Sequence, residues 1–367
     1  MGARRKPGSF SFGRPSDKRI WRPAIAPARA CPTYAAVMTH VPPAEWAPHQ
    51  AMWLGFPSHA DLWTDDLEAA QTEVAALARA LAGPGRERVR LLVGTDEALP
   101  AARAMLGETP GIEITPGRFG DIWLRDTGPI FLTSQAATSF RFNGWGGKYI
   151  LPHDEDVAAQ IASHAGAALA AHPVVMEGGA IDHDGAGTVL TTRQCLTNPN
   201  RNPDWDESAA EAALASALGA RKVLWLGDGL LNDHTDGHVD NLARFVAPSV
   251  VACPIAYGAD DPNAEVYDAA AELLRGMSDA EGRALSVLRI PSPGRILVDD
   301  EIVPASHMNF VVANGAVIVP TYAFKAGQLA AAALAGIFPG RQVIALPSNA
   351  LLTGGGSFHC ITQQEPA

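Results

Sequence analysis

Polar and charged side chains gather in five short segments of this sequence, most of them rich in glycine. They read DIWLRDTGP (121–129), NGWGGKY (143–149), MEGGAIDHDG (176–185), NDHTDGHVDN (232–241) and GGGSFHCITQQ (354–364). Loops that present charged residues from a rigid scaffold are where function concentrates. The chemistry that each segment could perform depends on its individual side chains.

Cys360 follows three successive glycines, Gly354 to Gly356. Glycines let a backbone approach a ligand closely or adopt positive φ, so a thiol placed after them can be exposed and reactive. The alternative is a small buried hydrophobic residue, which is the usual role of a free cysteine. Cys195 and Cys253 lie in apolar or strand-like contexts and fit that alternative. For Cys360 the local sequence favours neither interpretation over the other.

The segment at 232–241 contains His238 and Asp240, two positions apart. On extended backbone such side chains point to the same side, and an imidazole beside a carboxylate suits acid–base chemistry near neutral pH. A competing hypothesis is a metal site made of His234, Asp236, His238 and Asp240. No other histidine-rich segment supplies a further ligand with motif spacing, which disfavours the metal. A solvated polar turn is the third interpretation.

Carboxylates in two other segments suggest the ligand. Asp126 lies near Trp123, and Glu177 precedes two glycines. A guanidinium group is planar, with its donors in a fixed fork, and carboxylates bind it in bidentate fashion. Convergent acids beside an aromatic wall would form a pocket for such a group. Alternatively, Asp126 pairs locally with Arg125, and Glu177 is a turn acid.

Alternating short strands and helices must position these segments. Apolar residues on one stripe predict a helix over 65–81, ended by Gly83-Pro84. An acidic start favours a helix over 154–171, and strands are predicted over 241–246 and 309–312. The order of strand, helix and strand recurs about five times. No linker divides the body, so residues 38–367 are predicted to be one α/β domain.

Composition and charge limit the classes of protein. The chain has 367 residues, 47% of them hydrophobic, and no apolar run reaches the roughly 18 residues that a membrane span needs. Residues 1–37 carry a net charge of +7 and the remainder −18, which argues against nucleic-acid binding. Four widely spaced cysteines favour a reducing, cytoplasmic location. We expect residues 1–37 to be a disordered tail or a misassigned start before Met38, rather than a transit peptide.

Taken together, the segments resemble the agmatine deiminase family, a branch of the guanidine-modifying pentein superfamily that also includes bacterial peptidylarginine deiminases. The resemblance runs from position 42 to the end of the chain. It rests on an ordered set of motifs: PPAEWAPHQAMWLGFP, WLRDTGP, FNGWGGKY, EGG, LTTRQCLTNPNRNP, GHVDN and GGGSFHCITQQ.

The resemblance implies a five-bladed, pseudo-symmetric α/β propeller, the pentein fold, with the active site at its centre. It implies hydrolysis of agmatine to N-carbamoylputrescine and ammonia, in polyamine biosynthesis, without metal or organic cofactor. The implied catalytic residues are Cys360 as nucleophile, His238 as acid and base, and Glu177, Asp126 and Asp240; the implied substrate-binding residues are Trp123, Asp126, Asp240, Gly355 and Gly356. The sequence is also compatible with assembly into a homo-oligomer.

One position departs from the commonest family pattern. His234 stands where many members have glutamate, and it is expected near the rim of the pocket. An arginine-specific relative would need a cation for the substrate's α-carboxylate, and Arg125 and Arg244 are the candidates. Agmatine is therefore the first prediction, and free or peptidyl arginine is the alternative substrate. A metal-dependent hydrolase and a non-catalytic binding protein are the less favoured alternatives.

Overall fold

Residues 41–367, described by a computed structural model of the chain, alternate between short strands and helices. The strands are β1 His49–Phe56, β2 Val89–Val93, β3 Ile112–Pro116, β4 Ile130–Thr133, β5 Ala136–Arg141, β6 Ala168–Val175, β7 Ile181–His183, β8 Thr188–Thr192, β9 Lys222–Leu226, β10 Arg244–Ala247, β11 Val250–Ile255, β12 Ser286–Pro291, β13 Leu297–Val298, β14 Glu301–Ile302, β15 Val311–Val312, β16 Ala316–Thr321, β17 Gln342–Pro347 and β18 Thr362–Pro366. The predicted leader, residues 1–37, lies outside the described residues.

Helices connect these strands. They are α1 Ala60–Trp63, α2 Leu67–Ala82, α3 Leu99–Leu106, α4 Leu124–Thr127, α5 Gly144–Gly147, α6 Val157–Ala165, α7 Arg193–Leu196, α8 Glu207–Leu218, α9 Ala264–Arg275, α10 Phe324–Ile337 and α11 Asn349–Thr353. Single 3-10 turns occur at Thr64–Asp66, Asp154–Asp156, Gly178–Ala180 and Val239–Asn241. In the described part of the chain, no helix combines the length and the apolar character needed to cross a bilayer.

One module is repeated five times. It contains an antiparallel strand pair, a crossover helix, and a third strand parallel to the second. The modules are β4–β5–β6, β7–β8–β9, β10–β11–β12, β15–β16–β17 and β18–β1–β2, the last extended by β3. Their crossover helices are α6, α8, α9, α10 and α2. The predicted five-unit alternation is thereby confirmed.

The fifth module joins the two ends of the described chain. Its first strand, β18, pairs antiparallel with β1. The buried Glu365 on β18 accepts hydrogen bonds from Trp53 Nε1 and Arg90 Nη1, both at 3.1 Å, and from Gln50 Nε2 at 2.8 Å. These contacts tie the C-terminal strand to β1 and β2.

The core of the fifth module follows from the sequence pattern. All but one of the β1 residues are buried, as expected for a central strand covered on both faces. The predicted apolar stripe of α2 is confirmed, with Val74, Leu77 and Leu81 buried. Burying each side chain of this size contributes about 1.5–3 kcal/mol.

Three predicted boundaries are wrong. The helix predicted over 154–171 ends at Ala165, because Gly166 adopts φ 73° and the chain then enters β6, whose Ala168 pairs with Ala136. The strands predicted over 241–246 and 309–312 are shorter, beginning at Arg244 and Val311. In both strands the residues expected at the start belong to turns that carry side chains of the site.

Candidate active site

Each module places a short segment immediately before its first strand, and these five segments converge. In chain order they carry Asp126 before β4, Glu177 before β7, His238 and Asp240 before β10, Asn309 before β15, and Cys360 before β18. All six side chains are buried. Contacts between these side chains join residues far apart in sequence into one site.

Cys360 lies between an amide and a carboxylate. Its Sγ accepts a hydrogen bond from Asn309 Nδ2 at 3.1 Å and lies 3.8 Å from Asp240 Oδ2. Burial raises the pKa of the Cys360 thiol well above its ordinary value, and the Asp240 and Asp126 carboxylates raise it further. Without a compensating cation, the thiol therefore keeps its proton at neutral pH.

His238 lies between two carboxylates. Its Nδ1 is 3.7 Å from Asp126 Oδ1, and its Nε2 is 3.9 Å from Glu177 Oε2. Burial alone would lower the pKa of His238, but Asp126, Cys195 and Glu177 raise it well above its ordinary value. Neither ring nitrogen has a hydrogen-bond partner among the described residues. The imidazolium form is thus favoured, with both N–H groups free for a ligand.

Asp126 and Glu177 are each fixed by hydrogen-bond donors, and Glu177 keeps one oxygen free. Asp126 accepts hydrogen bonds from the Gly179 N–H and from Trp145 Nε1, both at 2.9 Å. Glu177 Oε1 accepts from Arg201 Nε at 2.7 Å, whereas Oε2 has no described partner. Burial raises the pKa of Asp126. Burial acts the same way on Glu177, but His238 and Arg201 outweigh it and lower its pKa.

Asp240 belongs to a buried network with His359 and Glu45. Its Oδ2 accepts from His359 Nδ1 at 2.8 Å, and His359 Nε2 lies 3.2 Å from Glu45 Oε2. Burial opposes ionisation of Asp240, but the hydrogen bond from His359 prevails and lowers the pKa of this carboxyl. Asp240 Oδ1 has no described partner, so one oxygen of an ionised carboxylate remains free.

The two arginines considered for a substrate tail serve this buried network instead. Arg244 pairs with Glu45 and with Asp182 Oδ1, and Arg125 Nε donates to the His359 carbonyl. Both side chains are buried, and neither lines the cavity that leads to Cys360. Arg125 and Arg244 are therefore wrong as candidates for the rim of the pocket.

A cavity of about 420 Å³ leads to Cys360. Its buried lining includes Cys360, Asp126 and Trp123, and its exposed or half-buried lining, called the rim here, includes Tyr149, His234, Leu62, Val298, Asp66 and Asp299. Trp123 is oriented by a 2.6 Å hydrogen bond from its Nε1 to Asp121 Oδ2. This volume lies in the usual range for small-molecule sites.

The glycines before Cys360 fit closely against the tryptophan wall. A Cβ at Gly356 would lie 2.5 Å from Trp123 Cζ3, and one at Gly354 would lie 2.6 Å from Trp63 Cη2. Gly355 has φ 100°, a conformation that few residues other than glycine adopt. Gly355 and Gly356 thus shape the cavity through the backbone.

The predicted metal set is not gathered around one point. Asp236 is bound by Lys148, Asn200 and Arg201, and His234 Nδ1 lies 2.9 Å from Tyr149 Oη at the cavity rim. The ligand-type cluster that the described residues do form contains Glu177, Cys195 and His238. The hypothesis that the two histidines and two of the aspartates in 232–241 bind one metal ion is therefore wrong.

Comparisons with known proteins identify the family. The sequence model of the Porphyromonas-type peptidyl-arginine deiminase family matches residues 41–366. The chain belongs to this family. Agmatine deiminase from Stutzerimonas stutzeri, a relative of the chain, is 38% identical over 353 residues, covering 89% of this chain and 95% of that protein.

Solved structures of agmatine deiminases share the fold. The Enterococcus faecalis agmatine deiminase has a TM-score of 0.84 and 31% identity, covering 89% of this chain and 96% of that one. A C. jejuni agmatine deiminase with a Cys-to-Ser substitution and substrate bound has a TM-score of 0.79 and 25% identity, covering 88% and 95%. The predicted agmatine deiminase family and its α/β pentein fold are confirmed.

Several residues of this site were not predicted from the sequence. Asn309 touches Cys360 directly, Gly179 packs against His238, and Trp145 and Arg201 each hold a carboxylate. One signal could have located Asn309. The other four modules carry a polar site residue just before their first strand, and Asn309 occupies the same place in the fourth module.

Proposed function

We propose that this protein hydrolyses the guanidinium group of agmatine to give N-carbamoylputrescine and ammonia. The observation that carries this proposal is the convergence of one thiol, one imidazole and three buried carboxylates, of which the Cys360 thiol and the Asp126 carboxylate line a single cavity. Relatives named agmatine deiminase, 38% identical in one case, support it. Free or peptidyl arginine is the second candidate, since the family model carries the name peptidyl-arginine deiminase.

The three carboxylates suit a planar cation. Asp126, Glu177 and Asp240 come from three different modules, and free oxygens remain on Glu177 and Asp240. Buried carboxylates gain most from a partner that brings both charge and N–H donors. In this proposal they hold the guanidinium nitrogens in plane and place its central carbon within about 3.5 Å of Cys360 Sγ. Trp123 forms the wall of the pocket.

The bound cation also activates the thiol. Asp240 and Asp126 disfavour the thiolate of Cys360 in the free protein, and a guanidinium bound to them offsets their charge. The thiol proton then passes to solvent and leaves the reactive thiolate, which Asn309 Nδ2 stabilises by its hydrogen bond. Nucleophile activation in this scheme depends on the substrate's own charge.

Two steps complete the reaction. Sγ attacks the guanidinium carbon, His238 in its imidazolium form donates a proton to the departing amine, and ammonia leaves. The product of this step is an S-alkylthiouronium on Cys360. Neutral His238 then takes a proton from water, and the resulting hydroxide attacks the same carbon. The C–S bond breaks, the proton of the added hydroxyl passes to the departing thiolate, and the neutral urea product leaves.

The residues around the cavity favour an amine tail over a carboxylate tail. No lysine or arginine is among the described residues that line the cavity, whereas Asp66 and Asp299 belong to its exposed or half-buried lining. The ammonium of agmatine suits such a rim, and the α-carboxylate of arginine does not. His234 is stacked on Tyr149 at the same rim.

A substrate panel tests the proposal. Ammonia and urea-type product are measured with agmatine, arginine and a peptide ending in arginine. We expect the highest kcat/KM for agmatine, with Cys360→Ala as the inactive control. A higher kcat/KM for either arginine substrate would contradict the tail assignment, and no ammonia from any of the three would contradict the activity.

We also propose that residues 38–367 act as one catalytic domain in the cytoplasm. The described cysteines, Cys195, Cys253 and Cys360, are all free, which supports a reducing compartment. Fractionation of native material with N-terminal sequencing tests both points. A mature chain that begins well before Met38 would contradict the start-site interpretation.

A further inference from the structure

Three side chains of metal-binding type meet at His238. Glu177 Oε, Cys195 Sγ and a ring nitrogen of His238 lie within 4.8 Å of one another, and all three residues are buried. They come from three separate segments, and Cys195 has no part in the proposed hydrolysis. The cluster therefore includes a second thiol that the reaction leaves unexplained.

The donor atoms of this cluster are available. Glu177 Oε2 and both nitrogens of His238 lack hydrogen-bond partners among the described residues. Arg201 holds the other oxygen of Glu177, Oε1, at 2.7 Å, which fixes the orientation of the carboxylate. Thr192 Oγ1 accepts the Cys195 N–H at 3.3 Å and so helps to fix the backbone that carries the thiol.

Thiolate, imidazole and carboxylate are the donors that zinc takes in proteins, and sites with three protein ligands leave a fourth position for water. We propose that Glu177, Cys195 and His238 form an inhibitory site for a zinc-type divalent cation. Metal binding displaces the thiol proton of Cys195 and the extra proton of His238. The imidazole then ligates the metal and is withdrawn from proton transfer.

The surrounding charges allow this binding. Asp126 lies 3.7 Å from His238 Nδ1 and adds negative charge beside the metal. Arg201 opposes a cation, but Glu177 and Asp236 already neutralise its guanidinium group. Because the substrate's guanidinium and the metal need the same Glu177 oxygen, each excludes the other. The metal is thus an inhibitor competing with the cationic substrate.

Calorimetric titration with zinc chloride tests the site without relying on turnover. The parent is the full chain with Cys360→Ala, so that the nucleophile cannot ligate the metal. We expect one site in the parent and a loss of affinity of at least about 100-fold when Cys195→Ala is added. Cys253→Ala in the same parent is the matched control, since Cys253 is an equally buried thiol in another module, and its affinity should not change.

Equal zinc affinity with and without Cys195, or no binding in the parent, would overturn the inference. If the Cys195→Ala chain does not fold, Cys195→Ser replaces it, because a neutral hydroxyl is a much weaker zinc ligand. Cobalt gives a second readout. The parent should show a thiolate-to-cobalt charge-transfer band, and the Cys195 variant should lack it; a band that survives the substitution would contradict the site.

Inhibition is measured on the chain with Cys360 intact. The predicted inhibition rests on the proposed function, because it is read from ammonia release. Zinc should lower the rate of ammonia release from agmatine, chelator should restore it, and more agmatine should raise the zinc concentration required. Inhibition that agmatine does not relieve would contradict the shared site. If the chain releases no ammonia at all, the proposed hydrolysis fails while the zinc titration still decides the metal site.

Discussion

Cys360 has neighbours that oppose and neighbours that favour its reactive form. Asp240 lies 3.8 Å from the thiol and disfavours the thiolate, whereas Asn309 donates its Nδ2 hydrogen to Sγ at 3.1 Å. The Asn309 Oδ1 also accepts the His359 N–H at 2.8 Å, which fixes the backbone next to the nucleophile. Among the described residues, Asn309 has the only uncharged side chain that is hydrogen-bonded to the sulfur of Cys360.

Replacing Asn309 tests that contact. In Asn309→Asp the Oδ1 acceptor is kept, but the donor to Sγ becomes another carboxylate oxygen. We expect kcat to fall about 10²–10³-fold, as when one donor to a developing anion is lost, and alkylation of Cys360 to require higher pH. Asn314→Asp, at an asparagine whose side chain bonds only the His49 backbone, is the control. Unchanged alkylation in Asn309→Asp would rule out a role in thiolate stabilisation.

Asp126 gives a prediction for pH dependence. Burial raises its pKa, so the folded protein loses the guanidinium-binding carboxylate as pH falls through that raised value. Trp145 Nε1 donates to Asp126 Oδ2 at 2.9 Å and favours the charged form. In Trp145→Phe the pKa should rise further, moving the acid limb of kcat/KM to higher pH by about one unit.

The control for this shift is Trp225→Phe, which removes a similar indole donor from Glu211 outside the site. An acid limb that stays in place in Trp145→Phe would show that Asp126 does not govern it. A rise in KM alone, with an unchanged pH profile, would mean that Trp145 only lines the cavity.

At the scale of elements, the short segments before the first strands depend on close approach between backbones and side chains. A Cβ at Gly179 would lie 2.6 Å from His238 Nδ1 and 2.8 Å from Asp126 Oδ1. The turn Gly178–Ala180 can therefore enter the site only without a side chain at this position.

Gly179→Ala should consequently displace His238 or Asp126. We expect kcat/KM to fall by at least about 100-fold, because a misplacement of about 1 Å in catalytic groups costs that much, while the protein remains folded by circular dichroism. Gly336→Ala, in α10 with open space around the added methyl, is the control. Near-normal activity of Gly179→Ala would show that the close approach of this turn to His238 and Asp126 does not matter.

Some of these elements could be predicted from the sequence and others could not, for physical reasons. The α2 stripe was clear because its apolar residues recur at helical spacing. The alanine-rich stretch after Gly166 has high helix propensity, yet pairing of β6 with β5 makes it a strand, and no local pattern reports such pairing. Cys360 and His238 stood out by residue type, whereas Asn309, an ordinary polar residue before a two-residue strand, did not.

At the scale of the whole molecule, the five modules bring together residues that are distant in sequence. Asp126 and Cys360 are more than 200 positions apart, and no periodicity in the sequence gives the distance between their modules. The combined pocket was predictable only through the family resemblance. The charge network behind it, from Asp240 through His359 to Glu45, follows from the same convergence.

The pairing of β18 with β1 is expected to hold the two ends of the described chain together. Glu365→Ala leaves Arg90 and Trp53 Nε1 without their buried acceptor. Removing one partner of a buried ion pair costs about 3–5 kcal/mol, so the free energy of unfolding in urea should fall by that order. Glu113→Ala, at the exposed pair with Arg88, is the control and should change little. A similar small change for Glu365→Ala would contradict the role of this contact.

The central claim is that Cys360 attacks the guanidinium carbon, and the rate of ammonia release by Cys360→Ala tests it most directly. The proposed mechanism predicts a fall in kcat of at least about 10⁴-fold, with unchanged thermal unfolding and with Cys253→Ala as active as the unsubstituted chain. A folded Cys360→Ala protein that retains near-full activity on agmatine would contradict it.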